Sequence, residues 1–284
     1  MIAILIALTG TAFSASPWVA PPGVWSLYGG ASQQSFSSYV GGSNNESSLS
    51  SPVSETAAQV FASFGLYEGM GMEIDVPLKY VSSKLDDSTL ALGNVRVQQK
   101  FRLANEDNGS PVTVSLLAGL RTGAAHAESR GRLTNAGDGT TDVGGGLSFG
   151  KYSLGSKGPW WFSGSAQYWW RYPHDNMRDV KVPGDDLTFD AEAVVSVHER
   201  VGLGLVVDGF HRTSGADIGE NAQYDINKWA ALQATNVYAG GKAFVFLPDN
   251  QTLVLGVLTT AYARNNPTDT LMVSAGYSFY FDGR

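Results

Sequence analysis

Apolar and polar residues alternate with a period of two along most of this chain. The clearest stretch is Met70-Gly-Met-Glu-Ile-Asp-Val-Pro-Leu-Lys-Tyr80. Met70, Met72, Ile74, Val76, Leu78 and Tyr80 fall on one face of it, and Glu73, Asp75 and Lys79 on the other. A helix would smear these two sets together, whereas a strand separates them. The same rule picks out strands over 25–36, 57–67, 70–80, 93–103, 112–122, 141–154, 160–172, 187–198 and 201–212. A tenth lies within 229–247, and 252–264 and 270–281 complete the set. Most span about 10–14 residues, the length of a tilted strand that crosses a bilayer. Twelve is also an even number, as single-chain bacterial barrels require.

The connections carry a second rhythm. Those at 68–69, 105–111, 155–159, 199–200 and 248–251 are short, and those at 37–52, 82–92, 123–139, 173–186 and 213–228 are longer and polar. Short and long alternate until the last, 265–269. Outer-membrane barrels have short periplasmic turns and long outer loops. The expected fold is therefore an all-β, transmembrane, antiparallel up-and-down β-barrel of about 12 strands. It forms a single domain over 25–284, with both termini in the periplasm of a bacterial outer membrane.

Composition agrees with this pattern. Mean hydropathy is −0.09 and only 16% of residues are charged, against about 25% in soluble domains. A helical membrane protein would need apolar runs of about 20 residues, while a barrel wall hides its hydrophobicity by alternation. The chain holds 34 Gly and no Cys. A net charge of −7 and the lack of any basic stripe argue against nucleic acid as a partner. Residues 1–15 read as the apolar core and cleavage region of a signal peptide, with cleavage after Ala12, Ser14 or Ala15. No Lys or Arg precedes that run, so either the true start lies upstream or the run is not a signal. The first reading is preferred, with 16–24 as a short periplasmic lead-in.

The outward face holds residues such as Val97, Phe101, Leu116, Leu120, Leu255 and Val273. The closing strand presents Leu271, Val273, Ala275, Tyr277, Phe279 and Phe281, the aromatic ending that barrel-assembly machinery recognises. Outer-membrane lipids and lipopolysaccharide are the implied surroundings. Aromatic residues near strand ends (Trp25, Tyr28, Tyr67, Tyr80, Trp160, Tyr168, Trp170, Tyr172, Trp229, Tyr277 and Phe281) suit an interfacial girdle. Trp161 and Trp169 are the exceptions, falling on the lumen side.

The inward face is strongly polar. Glu73, Asp75, Lys79, Arg96, Lys100, Arg102, Arg121, Asp190, Glu192, Asp208 and Arg212 are the expected lumen or constriction residues, and Asp142, Arg171, His198 and Arg264 point the same way. An acidic third strand beside a basic fourth favours cross-strand ion pairs. Such charges either fill the lumen or face one another across a pore as a selectivity device. No His shares a strand face with Ser and Asn or Asp, so no catalytic residue is assigned. His126, near Glu128 and Ser129, sits in an outer loop. The doublets Asp86-Asp87 and Asp185-Asp186 are loop positions open to Ca²⁺ or lipopolysaccharide cations, but no metal or cofactor is assigned. Gly144-Gly145-Gly146 falls inside a strand pattern and reads as a bulge or close-packing site, not as a phosphate loop.

The segment Leu92-Gly-Asn-Val95 through Lys100-Phe-Arg-Leu103 resembles a strand of the meta-pathway phenol-degradation family of outer-membrane transporters. Gly119-Leu-Arg-Thr-Gly123 and Gly137-Asp-Gly-Thr-Thr-Asp-Val-Gly144 are similar to further stretches of that family. Asn94 stands where the family has Asp, and Arg121 where it has Pro. The resemblance implies passive uptake of small hydrophobic or aromatic organic compounds. A closed barrel acting through its outer loops and a lipid hydrolase are the alternatives.

Overall fold

The computed structural model describes residues 16–40, 46–84, 86–122, 140–155, 158–173, 184–214 and 233–282. Fourteen strands form one antiparallel sheet: β1 (Val24–Val40), β2 (Glu46–Tyr67), β3 (Met70–Ser83), β4 (Asp86–Leu92), β5 (Val95–Ala104), β6 (Thr113–Thr122), β7 (Thr140–Gly155), β8 (Gly158–Pro173), β9 (Asp186–His198), β10 (Val201–Arg212), β11 (Thr235–Leu247), β12 (Gln251–Arg264), β13 (Asn266–Pro267) and β14 (Leu271–Asp282). Twelve make the wall, each beside its sequence neighbours. The short β4 extends β3 and β5 upward, and β13 caps β1.

Closure comes from β1. It pairs with β14 from Val24↔Asp282 to Ser35↔Leu271, and on its other side with β2 from Trp25↔Phe64. The ring therefore has no free edge along its length, and wall backbone groups are satisfied between strands. That is a condition for a β-structure to sit in lipid. Val24 and Asp282 meet at one end, called here the terminal end. The short turns lie there, including Glu68-Gly69 and the 3-10 turn Glu106–Asn108. Gly69 and Gly109 adopt left-handed φ of 73° and 83°, which glycine takes without steric cost.

The alternation read from the sequence is the observed one. Leu116, Leu120, Leu205, Leu255, Val257 and Val273 are all exposed outward, while Ser115, Gln98 and Lys100 are at most 1% exposed within. Trp25 stacks on Phe64 at 4.5 Å, and Phe279 on Phe281 at 6.0 Å, so aromatic rings ring the terminal end. Trp161 and Trp169 turn inward and are 1% exposed. Tyr28, expected in the girdle, also points inward. It shares the face of buried Ser26, and its ring lies over Gly30 and Gly276, whose missing side chains make room for it. Trp229 lies outside the described residues.

Two expected loops are largely strand. Residues 37–40 and 46–52 continue the β1–β2 hairpin, through a register shift between Phe36 and Ser38, and 82–84 and 86–92 belong mostly to the β3–β4 hairpin. Both segments are rich in Ser and other polar residues and hold few apolar ones, so no alternating apolar face marks them as strand. The triple glycine makes no register shift in the β6–β7 or β7–β8 pairing; it is a close-packing site. At Gly144 a Cβ would lie 2.5 Å from the Trp169 ring, which rests against the wall there.

Candidate functional site: the lumen

Nearest the loop end, five charged residues from five strands interlock. Register sets Arg121 of β6, Asp142 of β7 and Arg171 of β8 side by side, and Asp186 opposite Arg212. Asp186 receives Arg121 and Arg212 at 2.9 Å each, with Arg171 at 3.5 Å. Arg121 also reaches Asp142 at 2.6 Å and lies over the Trp169 ring at 5.1 Å. Among the described residues, this layer sets three guanidinium groups against two carboxylates. Asp186, expected in a cation-binding loop doublet, is thus an inward residue of β9 already held by three arginines. Its phase with Thr188, Asp190 and Glu192 is the signal that places it there. Asp86 and Asp87 fall in β4.

Inside this layer lies a chamber of about 230 Å³. Asp75, Arg96, Asp190 and Asp208 border it, with Trp169, Phe210 and Tyr238 as aromatic walls. Asp75 accepts a hydrogen bond from Gln59 at 2.6 Å and stands 3.8 Å from Arg96. Asp190 accepts a hydrogen bond from the Ser165 hydroxyl. Across the lumen, Gln98 Nε2 of β5 donates to Gln167 Oε1 of β8 at 2.6 Å, beneath two intervening strands.

Toward the terminal end the lumen is filled. Residues 16–22, expected as a lead-in ahead of the barrel, turn into it, and Ser16, Trp18, Val19 and Ala20 are buried. Lys100 Nζ donates to the carbonyls of Ser16 and Trp18 at 3.0 Å each, and pairs with Glu73 at 2.6 Å. Ser115 Oγ donates to the Pro17 carbonyl at 2.6 Å. Trp18 and Ala20 then pack with Val24, Trp161, Val194, Phe244, Val254 and Tyr280 into a buried apolar cluster. Phe244 meets Trp161 edge-on at 5.4 Å. Glu192 accepts from Trp161 Nε1 and from Lys242, each at 3.1 Å.

The expected lumen residues thus divide among three levels. Arg121 and Arg212 belong to the charged layer; Asp75, Arg96, Asp190 and Asp208 to the chamber; Glu73, Lys100 and Glu192 to the seat of the inserted segment. The acidic and basic third and fourth strand patterns do pair, through Glu73–Lys100 and Asp75–Arg96. Two expected residues lie apart. Lys79 pairs with Glu55 of the neighbouring strand at 3.1 Å, and Arg102 sits at the terminal mouth, 3.9 Å from Glu68. His198 is not a lumen residue: it lies exposed at the β9–β10 turn, where its Nδ1 accepts from Arg200 N. His126, Glu128 and Ser129 lie outside the described residues. The apolar members of the lumen, above all Trp18 and Phe244, carry no sign in the alternation because a polar inward face was expected throughout.

No protein-family model matches the sequence, and no curated protein is similar to it in sequence. Solved structures do match its shape. An outer membrane channel from Pseudomonas putida F1 superimposes with a TM-score of 0.70 at 15% identity, over 94% of this chain and 98% of that one. The NanC porin gives a TM-score of 0.49 at 13% identity, over 90% and 98% of the two chains. The CymD monoaromatic hydrocarbon channel gives 0.45 at 10% identity, over 92% and 89%. The first of these likenesses shows that the fold is that of an outer-membrane barrel.

Proposed function

We propose that this protein is a channel of the bacterial outer membrane for passive uptake of small organic solutes, aromatic and hydrophobic ones among them. Residues 1–15 are its signal peptide, both termini face the periplasm, and assembly machinery and lipopolysaccharide are its partners in the membrane. The observation that carries this reading is a chamber with charged and aromatic walls inside a closed, apolar-coated ring. A wall serving only as an anchor needs no enclosed space edged with ionised groups. Residues 16–22 close the terminal half, so passage requires them to leave their seat. The outer-membrane channel of Pseudomonas putida F1, whose fold this chain shares, supports the same reading.

The apolar cluster around Trp18 favours a second reading, a permanently closed barrel that works through its loop-end hairpins. Planar-bilayer recording separates the two. The channel reading expects rare, small openings in the intact protein. Removing residues 16–22 should give sustained conductance, with ion selectivity altered by Arg96→Ala or Glu73→Ala. A barrel that stays silent with and without that segment would overturn the channel and leave the closed one.

A further inference from the structure

The central chamber holds one cation and one anion that the protein leaves largely uncommitted, on nearly opposite walls. Arg96 projects from β5 and Asp208 from β10, five steps apart around a ring whose maximum is six. Among the described residues, Arg96 has one ion-pair contact, Asp75 at a long 3.8 Å. Asp75 is itself engaged by Gln59 at 2.6 Å. Among the described residues Asp208 makes no ion pair and no hydrogen bond to another side chain; its carboxylate accepts from the Gly209 backbone N–H, and its register partner is a second carboxylate, Asp190. By contrast, the lumen charges of the other levels are engaged by neighbours: Arg121, Arg171 and Arg212 with Asp142 and Asp186, Lys100 with Glu73, and Lys242 with Glu192.

Phe210, Tyr238 and Trp169 line the same chamber. The volume, about 230 Å³, is below the roughly 300–1,000 Å³ of pockets for drug-sized ligands. A small, flat, apolar body fits such walls, and aromatic faces attract a cationic group as well. A neutral hydrocarbon would use the walls but leave both charges facing empty space. A single charge would satisfy one of them and repel the other.

We infer that the chamber is a binding subsite for small zwitterions with an aromatic or similarly apolar body. The ammonium is taken by Asp208 and Asp190 and the carboxylate by Arg96. This rests on the reading of the lumen as a solute path and names the class of solute held within it.

The test uses the purified full chain in detergent at pH 8 and four probes that share one aromatic body. These are L-phenylalanine, phenethylamine, 3-phenylpropionate and toluene, with affinity measured by calorimetry or ligand-observed NMR. L-phenylalanine should bind about tenfold more tightly than either singly charged probe, the worth of one charge-assisted contact. Asp208→Asn should abolish its advantage over 3-phenylpropionate, and Arg96→Gln its advantage over phenethylamine. Heat-modifiable migration on gels confirms that both variants fold. Equal binding of all four probes, a preference for toluene, or no binding would overturn the inference, and the wild-type ranking decides even if a variant misfolds. Conductance is scored separately. A conducting barrel with no zwitterion preference defeats this subsite and spares the channel, whereas a silent barrel that binds L-phenylalanine does the reverse.

Discussion

The seat of residues 16–22 depends most on Lys100, and the double substitution Lys100→Met with Glu73→Gln tests that dependence. Lys100 is 1% exposed, and two of its protons go to the Ser16 and Trp18 carbonyls at 3.0 Å. Hydrogen bonds to a charged group contribute about 1.5–3 kcal/mol each, so the pair holds the segment by at least about 3 kcal/mol. Removing Lys100 alone would also strand the buried Glu73 carboxylate, at a cost of about 3–5 kcal/mol to the barrel. The glutamine avoids that penalty. What remains is the Ser115 bond to Pro17 and the packing of Trp18. A loss of about 3 kcal/mol raises the undocked population about a hundredfold. The chain has no cysteine, so Val19→Cys, at a position 6% exposed, gives a single reporter for maleimide labelling. When docking equilibrates faster than labelling, the rate tracks the undocked fraction. The expected outcome is labelling about a hundred times faster in the double variant, with unchanged heat-modifiability, and a rate well below that for Glu73→Gln alone, in which Lys100 keeps both carbonyls. Equal rates in the double variant and the parent would refute the assignment of Lys100 as the anchor.

Further outcomes follow from the other levels of the lumen. Asp186→Asn removes the carboxylate that three arginines share; it should destabilise the barrel by about 3–5 kcal/mol, seen as a lower urea midpoint for loss of heat-modifiable migration. Gly144→Val places a side chain where the Trp169 ring lies 2.5 Å from an added Cβ, and should lower the folded yield while the outward Val143→Ile leaves it unchanged. At the loop end, slight burial raises the Asp269 carboxyl, but hydrogen bonds from Ser37 and Ser38 outweigh it and hold it below the usual carboxylate range. Its stabilisation is therefore complete above the unfolded value, near 3.9, and lost as pH falls through the lowered one. Amide exchange at Ser37 and Ser38 should speed up across that acid window in the parent, and show no such step in Asp269→Asn.

The sequence by itself determined the wall. A period of two is a local property, written by which residues meet lipid and which do not. Leu116, Leu120, Leu255 and Val273 therefore reveal their direction without any knowledge of their neighbours. The strand count, the closing β14 and the inward sense of Arg96, Lys100, Trp161 and Trp169 all follow from that one rule. The same rule is silent where apolar residues are sparse, which is why the Ser-rich ends of the β1–β2 and β3–β4 hairpins read as loops. It is also silent about what fills the ring. Closure brings residues of distant strands face to face, and only curvature and stagger decide which of them touch. Gln98 reaches Gln167, Arg121 reaches Asp186, and Arg96 and Asp208 end up across one chamber. Residues 16–22 have no strand pattern of their own. They find their place because the ring offers Lys100, Ser115 and an apolar hollow between Trp161 and Phe244. Direction is decided residue by residue, but contact inside a barrel is decided by the whole circumference.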